Sequence, residues 1–292
     1  MYYVVYGLLY VFSLLPLRVL FVFSDLAYII LYHLINYRKK VVQYNLSVAF
    51  PDKSEEERIA IAKKFYRNLA DSFIETIKLI SADSTFVNKH FEADYSVFEQ
   101  VFRSGKKSHI HSGHNFNWEF ANLALASNIP QKLLTVYMPI ENKIMNRLFL
   151  AIRAKTGAAL LPATNIRTSI LPWRKEQYAL GLVADQKPAW PDNAYWINFF
   201  GRPTAFVRAP ENGARTANLP VIFSHFTKTK RGFYRGYFSL AEENPATLEK
   251  GALTVKYVRY LEQVIKDHPD MWLWSHRRWK WDWKPAYGAI IN

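Results

Sequence analysis

The chain has 292 residues, of which half are hydrophobic and 16% are aromatic. This composition excludes a disordered chain, and the length suffices for one large domain or two small ones. The absence of cysteine excludes a disulfide framework and thiolate chemistry. The formal net charge of +14 favours an anionic partner, which leaves nucleic acid, anionic lipid and an acidic protein open.

The N-terminus carries two apolar stretches, at residues 2–17 and 19–35. Neither reaches the roughly 20 residues that a transmembrane helix needs. No basic segment precedes the first stretch and no small-residue cleavage site follows it, so a signal peptide is not expected. Basic residues at 38–40 favour a cytoplasmic position for the rest of the chain. We predict a membrane anchor at residues 1–40, either one tilted helix or a helical hairpin in the interface; the alternative is a buried helix pair.

Residues 41–80 are predicted to be helical. Ser54 precedes three glutamates, and Glu57 stands where the carboxylate of a capping box belongs. Apolar residues then recur at helical spacing from Ile59 to Ile77.

Beyond about residue 90, short apolar runs alternate with segments of helical periodicity. Strands are predicted at 108–112, 132–137, 158–161, 178–184, 220–226 and 234–240, and helices at 118–127, 142–155 and 247–266. Strands separated by helices indicate an α/β fold with a sheet covered on both faces. We therefore predict one catalytic domain at residues 41–292.

The segment from His109 to Glu119 carries the most distinctive chemistry. A short apolar run leads through a Ser–Gly turn into a helix, which places His114 and Glu119 where α/β enzymes keep their active sites. A neutral imidazole can take a proton from a hydroxyl near pH 7, and a carboxylate on its other ring nitrogen fixes the tautomer. We expect His114 to be the general base and Glu119 to orient it.

Other interpretations of this segment are weaker. A His-x4-Glu pair also occurs by chance. His109, His111 and His114 suggest a metal site, but no thiolate and no second histidine cluster accompany them, so neither metal nor cofactor is expected. Ser112 is a possible nucleophile, but the Gly-x-Ser-x-Gly elbow is absent. This favours direct attack by the substrate hydroxyl that His114 activates, without a covalent intermediate on the enzyme.

The string from Gly113 to Glu119 resembles the His-x4-Asp/Glu motif of the late acyltransferases of lipid A biosynthesis, within the wider lysophospholipid acyltransferase group. Further blocks follow in that family's order and cover nearly the whole chain: 136–139 with Asn142, 184–188, 199–203 with Arg215, and the tryptophan-rich segment 269–280. Met138 departs from the pattern, because the family usually has a basic residue there.

The resemblance implies a glycerol-3-phosphate/lysophospholipid acyltransferase-like fold, with a central mixed sheet flanked by helices. It implies an enzyme at the cytoplasmic face of the bacterial inner membrane. The implied donor is an acyl carrier protein thioester or acyl-CoA, and the implied acceptor is a hydroxyl of a lipid A precursor. The alternatives are another acceptor (a lysophospholipid, an ornithine or glycine lipid, or a glycosylated phosphatidylinositol) or a non-catalytic lipid-binding membrane protein.

The predicted catalytic residues are His114, Glu119, Arg153 and Asp185. The resemblance places Arg153 near the active site, where it would hold the thioester oxyanion or a phosphate. Asp185, in the Asp–Gln block, would bind the acceptor or fix a nearby arginine.

Asn117 and Trp118 are expected to shape the helix start and the acyl pocket. Arg277 and Arg278 lie among five tryptophans and would meet anionic headgroups at the membrane interface. The alternative for this cluster is a tryptophan core with a solvated basic edge. The apolar N-terminus argues against nucleic acid.

Overall fold

The computed structural model describes all 292 residues as a mixed α/β fold, which confirms the predicted central sheet with flanking helices. The helices are α1 (Tyr2–Ser13), α2 (Leu17–Ile29), α3 (Lys39–Ala49), α4 (Glu55–Lys78), α5 (Ser84–His90), α6 (Ser96–Arg103), α7 (Trp118–Asn128), α8 (Lys143–Ala154), α9 (Ile166–Ser169), α10 (Ala209–Ala217) and α11 (Ala252–Asp267). The strands are β1 (Phe91–Ala93), β2 (Ser108–Ser112), β3 (Lys132–Tyr137), β4 (Ala159–Pro162), β5 (Tyr178–Val183), β6 (Ala194–Phe199), β7 (Arg202–Val207), β8 (Val221–Lys230), β9 (Phe233–Glu242) and β10 (Ile290–Ile291).

The two N-terminal apolar stretches form α1 and α2. Helix α2 continues through a π-helical turn, and the segment Leu17–Leu34 is long and apolar enough, by length and composition, to cross a membrane. One face of α2 packs on α4 through Leu20, Ser24 and Tyr28. The opposite surface of the pair exposes large apolar side chains: Val4, Leu8, Val11, Val22, Phe23 and Leu26. The pair is therefore neither a fully buried core nor a detached anchor.

Residues 41–80 form two helices rather than one helical segment. Helix α3 ends at Ala49, shortly before Pro51, because a proline cannot continue a helix. Helix α4 begins with the predicted capping box. The Ser54 hydroxyl accepts a hydrogen bond from the Glu57 amide (3.2 Å), and the Glu57 carboxylate accepts one from the Ser54 amide (2.8 Å).

The central sheet has seven strands in the order β1-β9-β8-β2-β5-β3-β4. Strands β8, β2, β5, β3 and β4 run parallel, β9 is antiparallel to β8, and β1 is parallel to β9. The predicted strands 108–112 and 132–137 coincide with β2 and β3, and the other four agree within a few residues at each end. The helix predicted at 247–266 begins later, at Ala252, after Gly251 in a left-handed conformation.

The parallel pairing sets side chains in rows on the face of the sheet beneath α7. Ser112 pairs with Val183, and Gly181 pairs with both Ile110 and Thr135. Paired residues on neighbouring parallel strands share a face, so each row crosses the sheet on the same side. The carboxyl ends of β2 and β5 lie next to each other, and both strands lead directly into site residues.

A second sheet, with the strand order β10-β6-β7, was not predicted. Its residue Trp196 is fully buried and stacks on Tyr287, with ring centroids 5.4 Å apart. This sheet contacts α11, whose apolar face joins the main core. That core also contains residues of α2, α4 and α7 and three C-terminal tryptophans: Trp272, Trp274 and Trp279.

Candidate active site

The turn after β2 is built around Gly113. A Cβ atom there would lie 2.9 Å from Leu261 Cδ1, 3.2 Å from Asn115 Oδ1 and 3.4 Å from Asp185 Oδ2. A side chain at this position would therefore displace its neighbours, including the carboxylate of the site. The glycine lets the chain leave β2 close to α11 and turn His114 towards the end of β5.

His114 is held by Asp185. Its Nδ1 lies 2.6 Å from Asp185 Oδ1, and its backbone amide donates to Asp185 Oδ2 at 2.7 Å. The indole Nε1–H of Trp272 donates to the same Oδ2 at 2.6 Å. Asp185 is 2% exposed, whereas the side chain of His114 is 18% exposed. The imidazole is thus fixed on one edge by a buried carboxylate, and its other edge faces the cavity.

The Asp185 carboxylate remains ionised in this buried position. Burial alone would raise its pKa, but the charge of His114 and the hydrogen bonds from His114 and Trp272 outweigh burial and lower the pKa from 3.8 to about 2. An ionised carboxylate on Nδ1 keeps the proton there and leaves Nε2 as the basic nitrogen. The amide nitrogen of Gln186 lies 3.1 Å from that Nε2.

Glu119 does not contact His114, which corrects the predicted pairing. Its carboxylate is bound instead by Arg153, whose Nε donates at 3.1 and 2.9 Å and whose Nη2 donates at 2.5 Å. Trp118 Nε1 adds a bond of 3.1 Å. The physical reason is the irregular turn at 115–117, which separates the two side chains: His114 precedes α7 and faces β5, whereas Glu119 lies in the first turn of α7 and faces α8.

The residues around this turn border a cavity of about 420 Å³. His114, Glu119, Arg153 and Gln186 line its polar part together with Ser112, Asn122 and Thr135, and most of the remaining lining is apolar. The further lining residues include Ile110, Ala121, Leu125, Leu133, Val136, Met138, Ile140, Gly181, Leu182, Val183 and Phe226. A volume of this size with few polar groups suits a largely apolar ligand that presents one reactive group.

Trp118 lines the cavity, as expected, and meets the His114 ring edge-on with a centroid distance of 5.3 Å. Asn117 does not line it. Asn117 is fully buried as the N-cap of α7, where its side-chain oxygen accepts from the amides of Glu119 (3.1 Å) and Phe120 (3.4 Å). Its predicted role in shaping the helix start is confirmed, and its predicted contact with substrate is not supported.

Glu75 on α4 is hydrogen-bonded to the Asn117 side chain, a contact that the sequence analysis did not predict. Its Oε2 accepts a hydrogen bond from Asn117 Nδ2 at 3.0 Å and another from the Tyr234 hydroxyl at 2.5 Å. Complete burial raises the pKa of Glu75 to about 7, against the opposing charge of Lys228 and these two bonds. No motif marked this residue, because it lies off the apolar stripe predicted for α4, and only the structure shows that it is buried.

The two C-terminal arginines have different surroundings. Arg277 is exposed, but Arg278 is 1% exposed and donates to the Ala205 carbonyl at 2.8 Å. The guanidinium of Arg278 lies 4.0 Å from the Phe206 ring centroid, and burial lowers its pKa to about 9. Arg278 therefore does not meet a headgroup at the surface. The segment instead forms part of a tryptophan core, and Arg277 and Lys280 lie at its exposed edge.

His109 and His111 are buried within β2, away from solvent. Burial lowers the pKa of His109 to about 4 and that of His111 well below 6.5, so both imidazoles are neutral at pH 7. The structure contains no group of three or more His, Cys, Asp or Glu side chains arranged to hold a metal ion.

The fold and the site together define a class of enzyme: an α/β catalyst with a carboxylate-held histidine at the opening of an apolar cavity. A protein-family model with the description "Bacterial lipid A biosynthesis acyltransferase" matches residues 1–281 of the chain. The chain therefore belongs to the bacterial lipid A biosynthesis acyltransferase family, and it is an acyltransferase. The predicted resemblance is confirmed.

Two curated relatives agree with this assignment. The chain is similar to the lipid A biosynthesis palmitoleoyltransferase of Escherichia coli (strain K12), with 22% identity over 256 residues, which cover 83% of this chain and 79% of the relative. It is similar to the same extent to the lipid A biosynthesis acyltransferase of Shigella flexneri.

Proposed function

We propose that this protein transfers a fatty acyl group from an acyl thioester to a hydroxyl of a lipid A precursor or a related lipid, with His114 as the general base. The observation that carries the proposal is the geometry of His114, whose Nδ1 is bound by buried Asp185 while Nε2 borders the cavity. A base in this arrangement accepts a proton from a substrate hydroxyl without losing its own Nδ1 proton.

The reaction is direct acyl transfer. As the acceptor oxygen forms its bond to the thioester carbonyl carbon, its proton moves to His114 Nε2. The tetrahedral intermediate collapses by breaking the carbon–sulfur bond, and the thiolate takes the proton back from the imidazolium. Asp185 stabilises the imidazolium between these steps. Atoms and charge balance without a covalent acyl-enzyme, a metal or a cofactor.

Arg153 is suited to the negative charge that develops on the carbonyl oxygen. Glu119 binds Nε and Nη2 of its guanidinium, which leaves Nη1 for a ligand in the cavity. A donor fixed in advance stabilises a developing oxyanion better than a mobile one. In this proposal the catalytic residues are His114, Asp185 and Arg153, and Glu119 is the positioning residue for Arg153.

The family supports a lipid A-type acceptor, and the donor is proposed from the chemistry. A thioester of acyl carrier protein or of coenzyme A presents the acyl chain with an anionic carrier, which suits a chain with a net charge of +14. Lysophospholipids, aminolipids and glycosylated phosphatidylinositol contain similar hydroxyls and serve as test acceptors.

Residues 1–40 are proposed as the membrane anchor of a catalytic domain at 41–292, on the cytoplasmic face of the bacterial inner membrane. The exposed apolar surface of α1 and α2 supports this, as does the basic run at 38–40. Arg147 on α8 lies 4.0 Å from the Tyr2 ring centroid and donates to the Tyr3 hydroxyl at 3.1 Å. The proposed anchor thus lies beside the helix that carries Arg153.

Incubation of the detergent-purified protein with radiolabelled acyl donors tests the proposed reaction. Carrier-protein and coenzyme A thioesters are each paired with lipid A precursors, lysophospholipids and aminolipids. His114→Ala should reduce product by about 100-fold or more, while His268→Ala, at a half-buried histidine that does not line the cavity, serves as the matched control. Equal activity of His114→Ala and wild type would exclude His114 as the base. Inactivity of every protein on every pair would leave lipid binding as the function.

Flotation with vesicles that contain anionic phospholipid tests the anchor. The double variant Val22→Glu, Leu26→Glu places charges on the exposed apolar surface of α2 and should abolish co-flotation. Ser47→Glu, on an exposed position of α3, should float like wild type. Unchanged flotation of the double variant would contradict the proposed anchor.

A further inference from the structure

The cavity follows the sheet away from His114, along three rows of side chains. Ser112 and Val183 lie in the row at the carboxyl ends of the strands, Ile110, Gly181 and Thr135 lie in the next, and Leu133 lies in the third. Successive rows on one face are two residues apart, which is roughly 6.6 Å in a parallel sheet. The Leu133 side chain reaches up to the middle row, because its Cδ1 lies 4.0 Å from the position that a Cβ atom of Gly181 would take. The cavity therefore extends down the sheet face below α7 as far as Gly181 and the tip of Leu133.

Gly181 occupies the middle row, between Ile110 and Thr135. Both neighbours carry side chains, whereas Gly181 leaves the centre of this row empty. Ala121 and Leu125 line the same cavity from α7, and Ala121 is also small. At the level of the middle row the cavity is thus bounded partly by two small residues, Gly181 on the sheet and Ala121 on α7.

The backbone does not require a glycine at this position. Gly181 lies in regular strand conformation and is not among the glycines with positive φ. A Cβ atom would lie 3.6 Å from the Leu134 carbonyl oxygen and 4.0 Å from Leu133 Cδ1, which are ordinary contacts. Glycine inside a strand weakens the strand and often marks a place where a ligand approaches closely. Its role here is the space that it leaves.

We propose that Gly181 determines the length of the acyl chain that the enzyme accepts, because its missing side chain leaves the cavity open beside Leu133. This inference rests on the proposed acyl transfer, with the thioester carbonyl near His114 and the chain directed along the sheet. A short chain would end above the middle row. A long chain would fill the space over Gly181 and contact Leu133.

Two substitutions change the volume of this part of the cavity in opposite directions. Gly181→Ile fills the middle row and should shift the preference towards shorter donors. Leu133→Ala enlarges the third row and should shift it towards longer donors. An apolar pocket discriminates roughly 10-fold or more for each methylene that it excludes. We therefore expect the ratio of kcat/KM for a palmitoyl donor to that for an octanoyl donor to fall at least about 100-fold in Gly181→Ile.

The measurement uses a series of donors from octanoyl to stearoyl thioesters with the full-length protein and one acceptor. The ratio of kcat/KM between two donors within one variant is independent of the fraction of folded enzyme, so partial loss of stability does not mimic the effect. Leu180→Met is the control, because Leu180 packs on the other face of β5. Gly181→Ala, which fits with ordinary contacts, should show a smaller shift in the same direction.

The outcomes separate this inference from the proposed function. Transfer by wild type, with a preference for shorter donors in Gly181→Ile and unchanged preference in Leu180→Met, supports it. A uniform loss on all donors, or an unchanged preference in Gly181→Ile, would overturn it while leaving acyl transfer intact. An absence of transfer by wild type on every donor would overturn the proposed function itself.

Discussion

The substitution Asp185→Asn tests which of two carboxylates, Asp185 or Glu119, orients the imidazole of His114. The wild-type carboxylate accepts three hydrogen bonds, two at Oδ2 from the His114 amide and Trp272 and one at Oδ1 from His114 Nδ1. An asparagine has one accepting oxygen, and the two fixed N–H donors retain it at the Oδ2 position. Its amino group then faces Nδ1 and donates to it. The proton of the imidazole moves to Nε2, and His114 loses its basic nitrogen on the cavity side.

The size of the effect is set by the contribution of a general base. Positioned acid–base catalysis contributes about 100-fold to 10,000-fold, which corresponds to roughly 3 to 5.5 kcal/mol in the activation free energy. The variant retains the shape of the site and two of its three hydrogen bonds. We therefore expect kcat to fall by that factor, while KM for the donor changes little.

The assay combines initial rates of acyl transfer with nitrogen NMR of the His114 ring, which reports the protonated nitrogen. Asp185→Asn should show the Nε2–H tautomer, and Glu119→Gln should leave the wild-type tautomer in place, because Glu119 binds Arg153. A rate within tenfold of wild type for Asp185→Asn would refute the reasoning. A tautomer change in Glu119→Gln alone would restore the pairing first predicted from the spacing.

Three further substitutions test other parts of the site. Gly113→Ala should lower the melting temperature by roughly several degrees and reduce activity, because its Cβ would lie 2.9 Å from Leu261 Cδ1; an unchanged melting curve contradicts this. Arg153→Lys should reduce kcat about 100-fold with little change in donor KM, because lysine lacks the planar group that binds Glu119 and the oxyanion together; wild-type kcat contradicts it. The raised pKa of Glu75 adds stability that is complete below pH 4.5 and is lost as pH rises through about 7, so Glu75→Gln should gain melting temperature relative to wild type as pH rises; a pH-independent difference contradicts it.

Local patterns predicted much of the fold. Strand β3 appears in the sequence as a short apolar run between Pro130 and Pro139, and β2 appears as a short segment that ends at a Ser–Gly turn. The predicted ends of both strands coincide with the structure. The second sheet escaped prediction although β6 and β7 form a local hairpin, whose two loop residues Phe200 and Gly201 both have positive φ. Only the pairing with β10 joins distant parts of the chain. The aromatic residues of this sheet were interpreted as family motifs rather than as strand positions.

The hydrogen bond between His114 and Asp185 could not be predicted from the sequence. Residues 114 and 185 are separated by 71 positions and meet because Ser112 pairs with Val183, which places both side chains two residues beyond paired strand ends. Chain order does not reveal this, since β3 and β4 lie between β2 and β5 in sequence but on the other side of β5 in the sheet. The spacing of His114 and Glu119 suggested a contact that the turn between them prevents.

The two carboxylates bind two different cations of the proposed mechanism. Asp185 binds His114, which would carry a positive charge once it has taken the acceptor proton, and Glu119 binds the guanidinium of Arg153. A buried ion pair such as Glu119–Arg153 gives little net stability, because desolvation of both charges offsets their attraction. Its value in the proposed mechanism is therefore positional: Glu119 binds Nε and Nη2, which fixes the guanidinium plane and leaves Nη1 available to meet the oxyanion. In the proposed mechanism the two motif residues therefore have separate tasks: His114 is the base, and Glu119 positions Arg153 for the oxyanion. The carboxylate that orients His114 is Asp185, which follows the neighbouring strand β5.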